Sequence, residues 1–168
     1  GTDLSAGRMV GLGSCVAGVL LQRADYSGKF FKDLGEINIL IALLITMAIC
    51  GCFGLLNGFV IAKFKVPPFI ATLGVQTIVY GICMVFTGAT PLGGYRKSYT
   101  DISNSNFWGI PTFGIIAMVV GALFWFLYNK TRHGKYMYAI GGNENAAEVS
   151  GVNVSRTLIN IYALAGVM

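Results

Sequence analysis

The sequence predicts an all-α, polytopic transmembrane protein with about four full spans and the start of a fifth. Hydrophobic residues make up 55% of its 168 residues and charged residues only 11%, whereas a soluble domain is about 25% charged. Charged residues are absent from three long apolar runs, at 37–62, 66–87 and 109–128. Each run can cross about 30 Å of hydrocarbon as a helix, and each is too long for a strand of a membrane barrel.

The predicted spans follow one another in a single domain, residues 1–168. The first, at about 4–21, is of marginal length and includes Arg8. The last, 158–168, has room for only part of a span, so we expect the chain to be a fragment of a longer protein. The predicted connections are a loop at 22–36, a tight turn at 63–65, a loop at 88–108 and a polar loop at 130–157.

The distribution of basic residues predicts which loops are cytoplasmic. Lys130–Lys135 is the densest basic cluster, and cytoplasmic loops are enriched in Lys and Arg. With alternating loops, the cytoplasmic side then carries a net charge of +4 and the outside +1, which together account for the total of +5. We therefore attribute the basic character to membrane topology and expect no nucleic-acid partner.

Small residues and aromatic residues at particular positions predict how the spans are held. Gly7 with Gly11, and Gly54 with Gly58, have the small-xxx-small spacing that lets helices approach closely in lipid. Trp108 and Tyr128 bracket one span, as interfacial aromatic residues do.

The third span has a polar face, formed at 100° per residue by Thr72, Gln76, Tyr80 and Thr87. Such a face suits the lining of a path for a neutral polar solute. It equally suits hydrogen bonding to neighbouring helices. Both interpretations remain open, and they apply also to Asn57 in the preceding span.

Motifs for catalysis or metal binding are not found in the sequence. Residues 88–93 have the glycine spacing of a phosphate-binding loop but lack the following Lys-Ser/Thr pair. His133 has no cysteine or carboxylate at ligand spacing, and there is no nucleophile with a base and an orienting group. The cysteines form no Cys-x-x-Cys pair and are interpreted as small apolar fillers, with metal and disulfide sites disfavoured: Cys15, Cys50, Cys52 and Cys83. We expect no cofactor in this chain.

The energy for any transport is expected to come from another subunit. Carriers driven by ion gradients usually place acidic residues or histidines inside their spans, and the three clear spans have none.

The polar loop contains a predicted short helix. Asn143 is a good N-cap, Glu144 lies in the first turn where the helix dipole favours an acid, and Gly151 suits the position after the C-cap. Ala146, Ala147 and Ser150 give this helix a small-residue side. Because so short a helix is unstable alone in water, it must pack on its own domain or on a partner.

Three motifs resemble permease subunits of bacterial ABC importers for monosaccharides, the ribose, xylose and galactose group. They are the loop run Gly141-Gly142-Asn143 to Val154, the run Gly1-Thr2-Asp3-Leu4-Ser5-Ala6-Gly7, and Asn57-Gly58 with Pro68 to Gly74. The form Gly-Thr-Asp-Leu-Ser-Ala-Gly-Arg is most similar to the galactose/methyl-galactoside branch. The resemblance extends over nearly the whole chain.

The resemblance implies a dimeric permease in the bacterial inner membrane. It implies a periplasmic sugar-binding protein at the outside loops and an ATP-binding subunit, which holds ATP and Mg²⁺, at the cytoplasmic loop. The resemblance assigns the role of coupling to the ATP-binding subunit to these residues: Asn143, Glu144, Ala146, Ala147, Ser150 and Gly151. Asp3 and Ser5 belong to the family motif. We interpret them as residues that cap the start of a helix beside the pathway.

Two other classes are considered. A branched-chain amino-acid ABC permease would share the architecture but should carry charged groups for a zwitterion along its path. A structural membrane protein without transport activity would need neither a polar face nor a capped loop helix.

Overall fold

A computed structural model describes residues 2–107 and 109–168. Gly1 of the first motif and Trp108 of the predicted interfacial pair lie outside the described residues. Within the described part there are eight helices: α1 (Ala6–Leu20), α2 (Ile39–Phe64), α3 (Pro68–Thr87), α4 (Lys97–Asn104), α5 (Thr112–Lys130), α6 (Arg132–Gly142), α7 (Glu144–Val149) and α8 (Val154–Val167).

Three of the helices are long and apolar enough to cross a membrane, namely α2, α3 and α5. The predicted runs at 37–62, 66–87 and 109–128 therefore form helices close to the expected bounds. At 1.5 Å per residue, the 26 residues of α2 extend about 39 Å. Helices α1 and α8 are apolar but shorter. The first predicted span is thus reduced to the 15 residues from Ala6 to Leu20.

The predicted loops contain more regular structure than expected. Residues 88–108 include α4, and residues 130–157 are mostly helical through α6 and α7. The predicted all-α fold class is confirmed, with one small exception among the described residues. Residues Asn106–Phe107 (β1) and Ile110–Pro111 (β2) pair as a small antiparallel ladder, with Gly109 at φ +80° in the turn between them.

The chain divides into two compact units, Gly1–Gly94 with Leu158–Met168, and Tyr95–Thr157. In the first unit, α1 packs against both α2 and α3. Its apolar core between these three helices contains the buried side chains of Met9, Leu12, Cys50, Val75 and Val79. In the second unit, α5 lies against α6, and α6 lies against α7.

Backbone contacts in the first unit place loop 22–36 and residues 88–94 at the same end. Arg23 N donates to the Gly94 carbonyl at 2.8 Å, and the Gln22 side-chain amide donates to the Gly93 carbonyl at 3.1 Å. At the opposite end, Leu4 N donates to Thr72 Oγ1 at 3.2 Å. Helices α1 and α3 therefore run parallel, as the alternation of loops predicted.

The α2 glycines predicted for helix packing do contact another helix. A Cβ atom added to Gly58 would lie 2.7 Å from Ile159 Cα, and one added to Gly166 of α8 would lie 2.9 Å from Gly54 Cα. The backbones of α2 and α8 thus touch at these positions. The other predicted pair differs, since a Cβ atom on Gly7 or Gly11 would meet nothing within 4 Å.

Most apolar side chains of the long helices are exposed. Leu44 and Val85 are 64% and 85% exposed, and none of the 19 described residues of α5 is buried. Exposing so much apolar surface to water would cost free energy. In a membrane these side chains would contact lipid instead, without that cost.

Candidate functional site

A set of hydrogen-bonded polar side chains lies where the segment before α1 meets α2 and α3. We call Asp3, Ser5, Asn57 and Thr72 the polar cluster. The Asp3 carboxylate accepts from the Ser5 backbone N–H at 2.8 Å and from the Ser5 hydroxyl at 2.7 Å. These bonds fold the chain into the first turn of α1, so Asp3 organises the helix start. Ser5 is the N-cap residue by position, but its side chain makes no capping bond to the helix.

The cluster ties the segment before α1 to the two neighbouring helices. Because the Ser5 hydroxyl proton points to Asp3, its oxygen accepts a bond from Asn57 Nδ2 at 3.0 Å. The Thr72 hydroxyl accepts from Leu4 N and donates to the Phe69 carbonyl at 3.3 Å. Ser5, Asn57 and Thr72 are at most 1% exposed. Polar bonds at this depth specify one arrangement of the three segments.

Helix α8 lies beside the α2 part of the cluster, because a Cβ atom on Gly58, next to Asn57, would lie 2.7 Å from Ile159 Cα. Tyr162 of α8 is 5% exposed. The Asn57 Oδ1 atom is buried, and no described residue donates a hydrogen bond to it. An unpaired buried acceptor costs about 1–3 kcal/mol. The Nδ2 group of Asn57 therefore donates a hydrogen bond to Ser5, whereas its Oδ1 atom accepts none from the described residues.

The residues that the sequence analysis assigned to a translocation path differ in burial and in their contacts. Asn57 and Thr72 are buried in the polar cluster, where their contacts match the second interpretation, hydrogen bonding to neighbouring segments. Gln76 is partly buried. Tyr80 is 44% exposed, and the Arg8 guanidinium lies 4.3 Å from its ring centroid. The Thr87 hydroxyl donates to the Cys83 carbonyl of its own helix. A role of these residues in the path stays a prediction.

Loss of the Ser5 hydroxyl should destabilise the protein. A Ser5→Ala change leaves the Asn57 amide group without its acceptor and removes one donor from Asp3, so we expect a loss of about 1–3 kcal/mol. The measurement is the thermal unfolding midpoint of the full-length protein in detergent. Ser14→Ala is the matched control, because Ser14 lies on α1, the helix that Ser5 precedes, with its side chain exposed. Equal midpoints for the two variants would contradict the importance of the cluster.

In the second unit, one close contact sets the turn from α5 into α6. The Thr131 hydroxyl donates to the Leu127 carbonyl at 2.5 Å and accepts from Gly134 N at 3.4 Å, which caps α6. Gly134 is buried, and a Cβ atom there would overlap the Tyr128 carbonyl. Only glycine therefore fits this corner.

The short helix predicted in the polar loop is confirmed as α7, with its predicted caps. The Asn143 side chain accepts from Ala146 N at 3.0 Å. At the other end, the Ser150 hydroxyl donates to the Ala146 carbonyl at 2.8 Å, and Gly151 has φ +86°. Val152 N then donates to the Ala147 carbonyl at 3.0 Å, which closes the helix end.

Side-chain exposure distinguishes the two faces of α7. Ala147 is 3% exposed, whereas Val149 is 89% exposed. Asn143, Glu144, Ala146, Ser150 and Gly151 are also exposed. Ala147 is therefore the residue by which α7 is anchored, and the other five proposed coupling residues are accessible. The sequence analysis did not single out Val149 as an exposed apolar residue of α7. An apolar residue on a polar, capped helix is the signal that would have found it.

The comparisons with known proteins agree with this architecture. Residues 1–168 match the model of the family described as "Branched-chain amino acid transport system / permease component". The chain belongs to this permease family. With its three long apolar helices, it is a multi-pass membrane protein.

Several curated relatives are named for sugars. The galactose/methyl galactoside import permease protein MglC of Escherichia coli (strain K12) is 45% identical over 175 residues, covering 99% of this chain and 52% of the relative. The protein of the same name from Haemophilus influenzae is 40% identical over 99% of this chain and 52% of the relative. The ribose import permease protein RbsC of Bacillus subtilis (strain 168) is 35% identical over 100% of this chain and 49% of the relative.

The chain thus spans about half the length of the curated relatives it matches. No solved structure matches it significantly.

Proposed function

We propose that this chain is part of the membrane-spanning subunit of an ATP-driven importer for a monosaccharide of the galactose/methyl galactoside class. The observation that carries the proposal is the order of identities among the relatives. Identity to import permeases named for galactose and methyl galactoside reaches 45%, and identity to those named for ribose is 35% and 33%. The protein would act in the bacterial inner membrane as a permease homodimer.

The proposed contact with the ATP-binding subunit is the exposed face of α7. That subunit would bind ATP and Mg²⁺, and this chain would need no cofactor of its own. When ATP binding closes the ATPase pair, α7 would move with it and shift the membrane helices between outward-open and inward-open states. The permease would supply contacts that differ between the two states, and no covalent chemistry.

The proposed contact with a periplasmic sugar-binding protein is the end of the first unit that carries loop 22–36. The buried Gln22 side chain accepts from Phe30 N at 2.8 Å and so holds the loop in place. Phe30 and Phe31 are 40% and 43% exposed, and the rings of Phe30 and Phe86 lie 4.6 Å apart. Phe30 and Phe31 border a shallow cavity of about 420 Å³ that Lys32 and Asp33 also line. An ordered loop with exposed aromatic residues is typical of protein contact surfaces.

A branched-chain amino-acid permease is the second candidate, because the family description names that substrate class. A zwitterion needs fixed charges or helix ends along its path. Between residues 37 and 62 and between 66 and 87 the sequence has no charged side chain. This neutrality favours an uncharged solute.

Transport by the full-length protein tests the proposal. The full-length gene would be expressed with its ATPase and binding-protein partners in a bacterium that lacks its own galactose permease. We expect uptake of labelled galactose, competed by methyl galactoside more strongly than by ribose, and no uptake of leucine. Leucine uptake without galactose uptake would establish the branched-chain alternative.

A further inference from the structure

A charged side chain of the first unit lies at a depth where lipid surrounds most exposed residues. Arg8 of α1 is exposed, and its guanidinium lies 4.3 Å from the ring centroid of Tyr80 of α3. Helix α3 begins at Pro68, so Tyr80 is about 18 Å along a helix that is about 30 Å long at 1.5 Å per residue. The guanidinium is therefore held well inside the span.

Arg8 has no acidic partner in the part of the chain that the structure describes. No ion pair joins it to a described residue. The acid closest to it in sequence, Asp3, accepts its two bonds from Ser5. A charge in the membrane interior is costly, and the charged residues that do occur there almost always face the inside of a helix bundle or a water-filled cavity. The exposed side of Arg8 is therefore expected to face a polar environment.

The neighbours of Arg8 on this side are polar or small. Gln76 lies one turn before Tyr80, about 40° round α3 at 100° per residue. Neither the Gln76 amide nor the Tyr80 hydroxyl makes a hydrogen bond to a described residue. On α1, a Cβ atom added to Gly7 or Gly11 would meet nothing within 4 Å, so the surface beside Arg8 is open. Three side chains with unused hydrogen-bonding groups thus share one open face of α1 and α3.

The opposite side of α3 is also exposed but is apolar. Ile78, Ile82 and Val85 are 53%, 44% and 85% exposed, and each lies about 140–160° round the helix from Tyr80 at 100° per residue. These side chains suit contact with lipid. Helix α3 therefore has one exposed face for lipid and another for a polar environment.

We propose that Arg8, Gln76 and Tyr80 line a water-filled path along α1 and α3, and that the Arg8 guanidinium donates hydrogen bonds to the hydroxyl oxygens of the sugar. This inference rests on the proposed import of a monosaccharide. A guanidinium carries five N–H donors, and stacking on the Tyr80 ring holds their plane in one orientation. A cation without a matching anion suits hydroxyl oxygens, whereas a zwitterion needs both charges.

Labelling with a charged thiol reagent tests whether this face is in water. Tyr80→Cys and Ile78→Cys would each be made in the full-length permease, reconstituted with its ATPase and treated with a membrane-impermeant methanethiosulfonate. Mass spectrometry would measure the rate of labelling at the introduced cysteine. We expect labelling of Tyr80→Cys to be at least about tenfold faster than that of Ile78→Cys, because lipid excludes a charged reagent. Equal rates, or no labelling of Tyr80→Cys, would overturn the proposal.

Uptake by variants of Arg8 tests the contact with the sugar. We expect galactose uptake by Arg8→Gln to fall about tenfold, which corresponds to the loss of one hydrogen bond to a charged group. Arg8→Lys should recover part of this loss, because lysine keeps the charge and three donors. Lys63→Gln is the control, since it removes one positive charge from an exposed residue at the end of α2. Its uptake should stay near the wild-type level.

The unfolding midpoint of Arg8→Gln separates a role in transport from a role in stability. A neutral side chain costs less than a cation in the membrane, so this variant should unfold at a temperature no lower than that of the wild type. Wild-type uptake by Arg8→Gln, or a midpoint that falls together with uptake, would overturn the contact with the sugar. Absence of galactose uptake by the wild type would contradict the proposed function instead, and the labelling rates would then decide alone whether this face is in water.

Discussion

Replacing Gly54 with leucine is expected to prevent α8 from packing on α2 and to remove most of the folded protein. A Cβ atom on Gly54 would overlap the Tyr162 carbonyl and lie 3.1 Å from Gly166 Cα. Both neighbours are backbone atoms, which cannot move aside as a side chain does. Overpacking a tight site costs about 1–3 kcal/mol and sometimes more, and separating the helices also forfeits the contacts that hold them together in lipid. We expect a cost at the top of that range.

Size-exclusion profiles and unfolding midpoints of the full-length protein in detergent would measure this effect. Gly11→Ala is the control, because a Cβ atom there meets nothing within 4 Å. Alanine in place of glycine within a helix should stabilise the protein by about 0.5–1 kcal/mol. If Gly54→Leu yielded as much folded protein as Gly11→Ala, the close approach of α2 and α8 would be contradicted.

Replacing Val149 with arginine is expected to abolish ATP-dependent uptake without affecting folding. Val149 is 89% exposed, so a larger charged side chain breaks no internal contact. At an interface, an apolar anchor replaced by a cation loses packing and buries an unpaired charge, a change that costs several kcal/mol at interface hot spots. We expect at least a hundredfold loss of uptake. Residual ATPase activity of the complex should no longer respond to sugar.

The control for this effect is Ser155→Arg, which adds the same charge at another exposed position that follows α7 closely in the sequence. Uptake by this variant should stay near the wild-type level. Ala147 is not a suitable position, because it is buried and a large residue there would displace α7 itself. Normal uptake by Val149→Arg would exclude this face of α7 as the coupling contact.

Hydropathy and capping signals predicted the parts of the fold that depend on local sequence. The apolar runs gave the positions of α2, α3 and α5 because lipid leaves a long uncharged segment few structures other than a helix. Asn143 and Gly151 predicted α7 because the caps satisfy its end groups locally. Helix α6 was not predicted, although Thr131 is a preferred N-cap residue. The polar and apolar residues of α6 are mixed, and this mixing obscures the regular spacing of apolar residues that indicates a helix.

The polar cluster shows what the sequence does not reveal. Asp3, Ser5, Asn57 and Thr72 were each singled out, but their shared site arises only when α1 docks between α2 and α3. The bond from Asn57 to Ser5 joins residues 52 positions apart, and nothing local to either residue indicates its partner.

The most direct test of the central claim is ATP-dependent sugar uptake by a reconstituted complex. The full-length permease would be placed in proteoliposomes with its ATPase, and with its binding protein and labelled galactose outside. We expect accumulation of galactose that requires ATP inside the vesicles and the binding protein outside, and that is lost with Val149→Arg but kept with Ser155→Arg. Accumulation that is independent of ATP, or no accumulation of galactose by a correctly folded complex, would contradict the account.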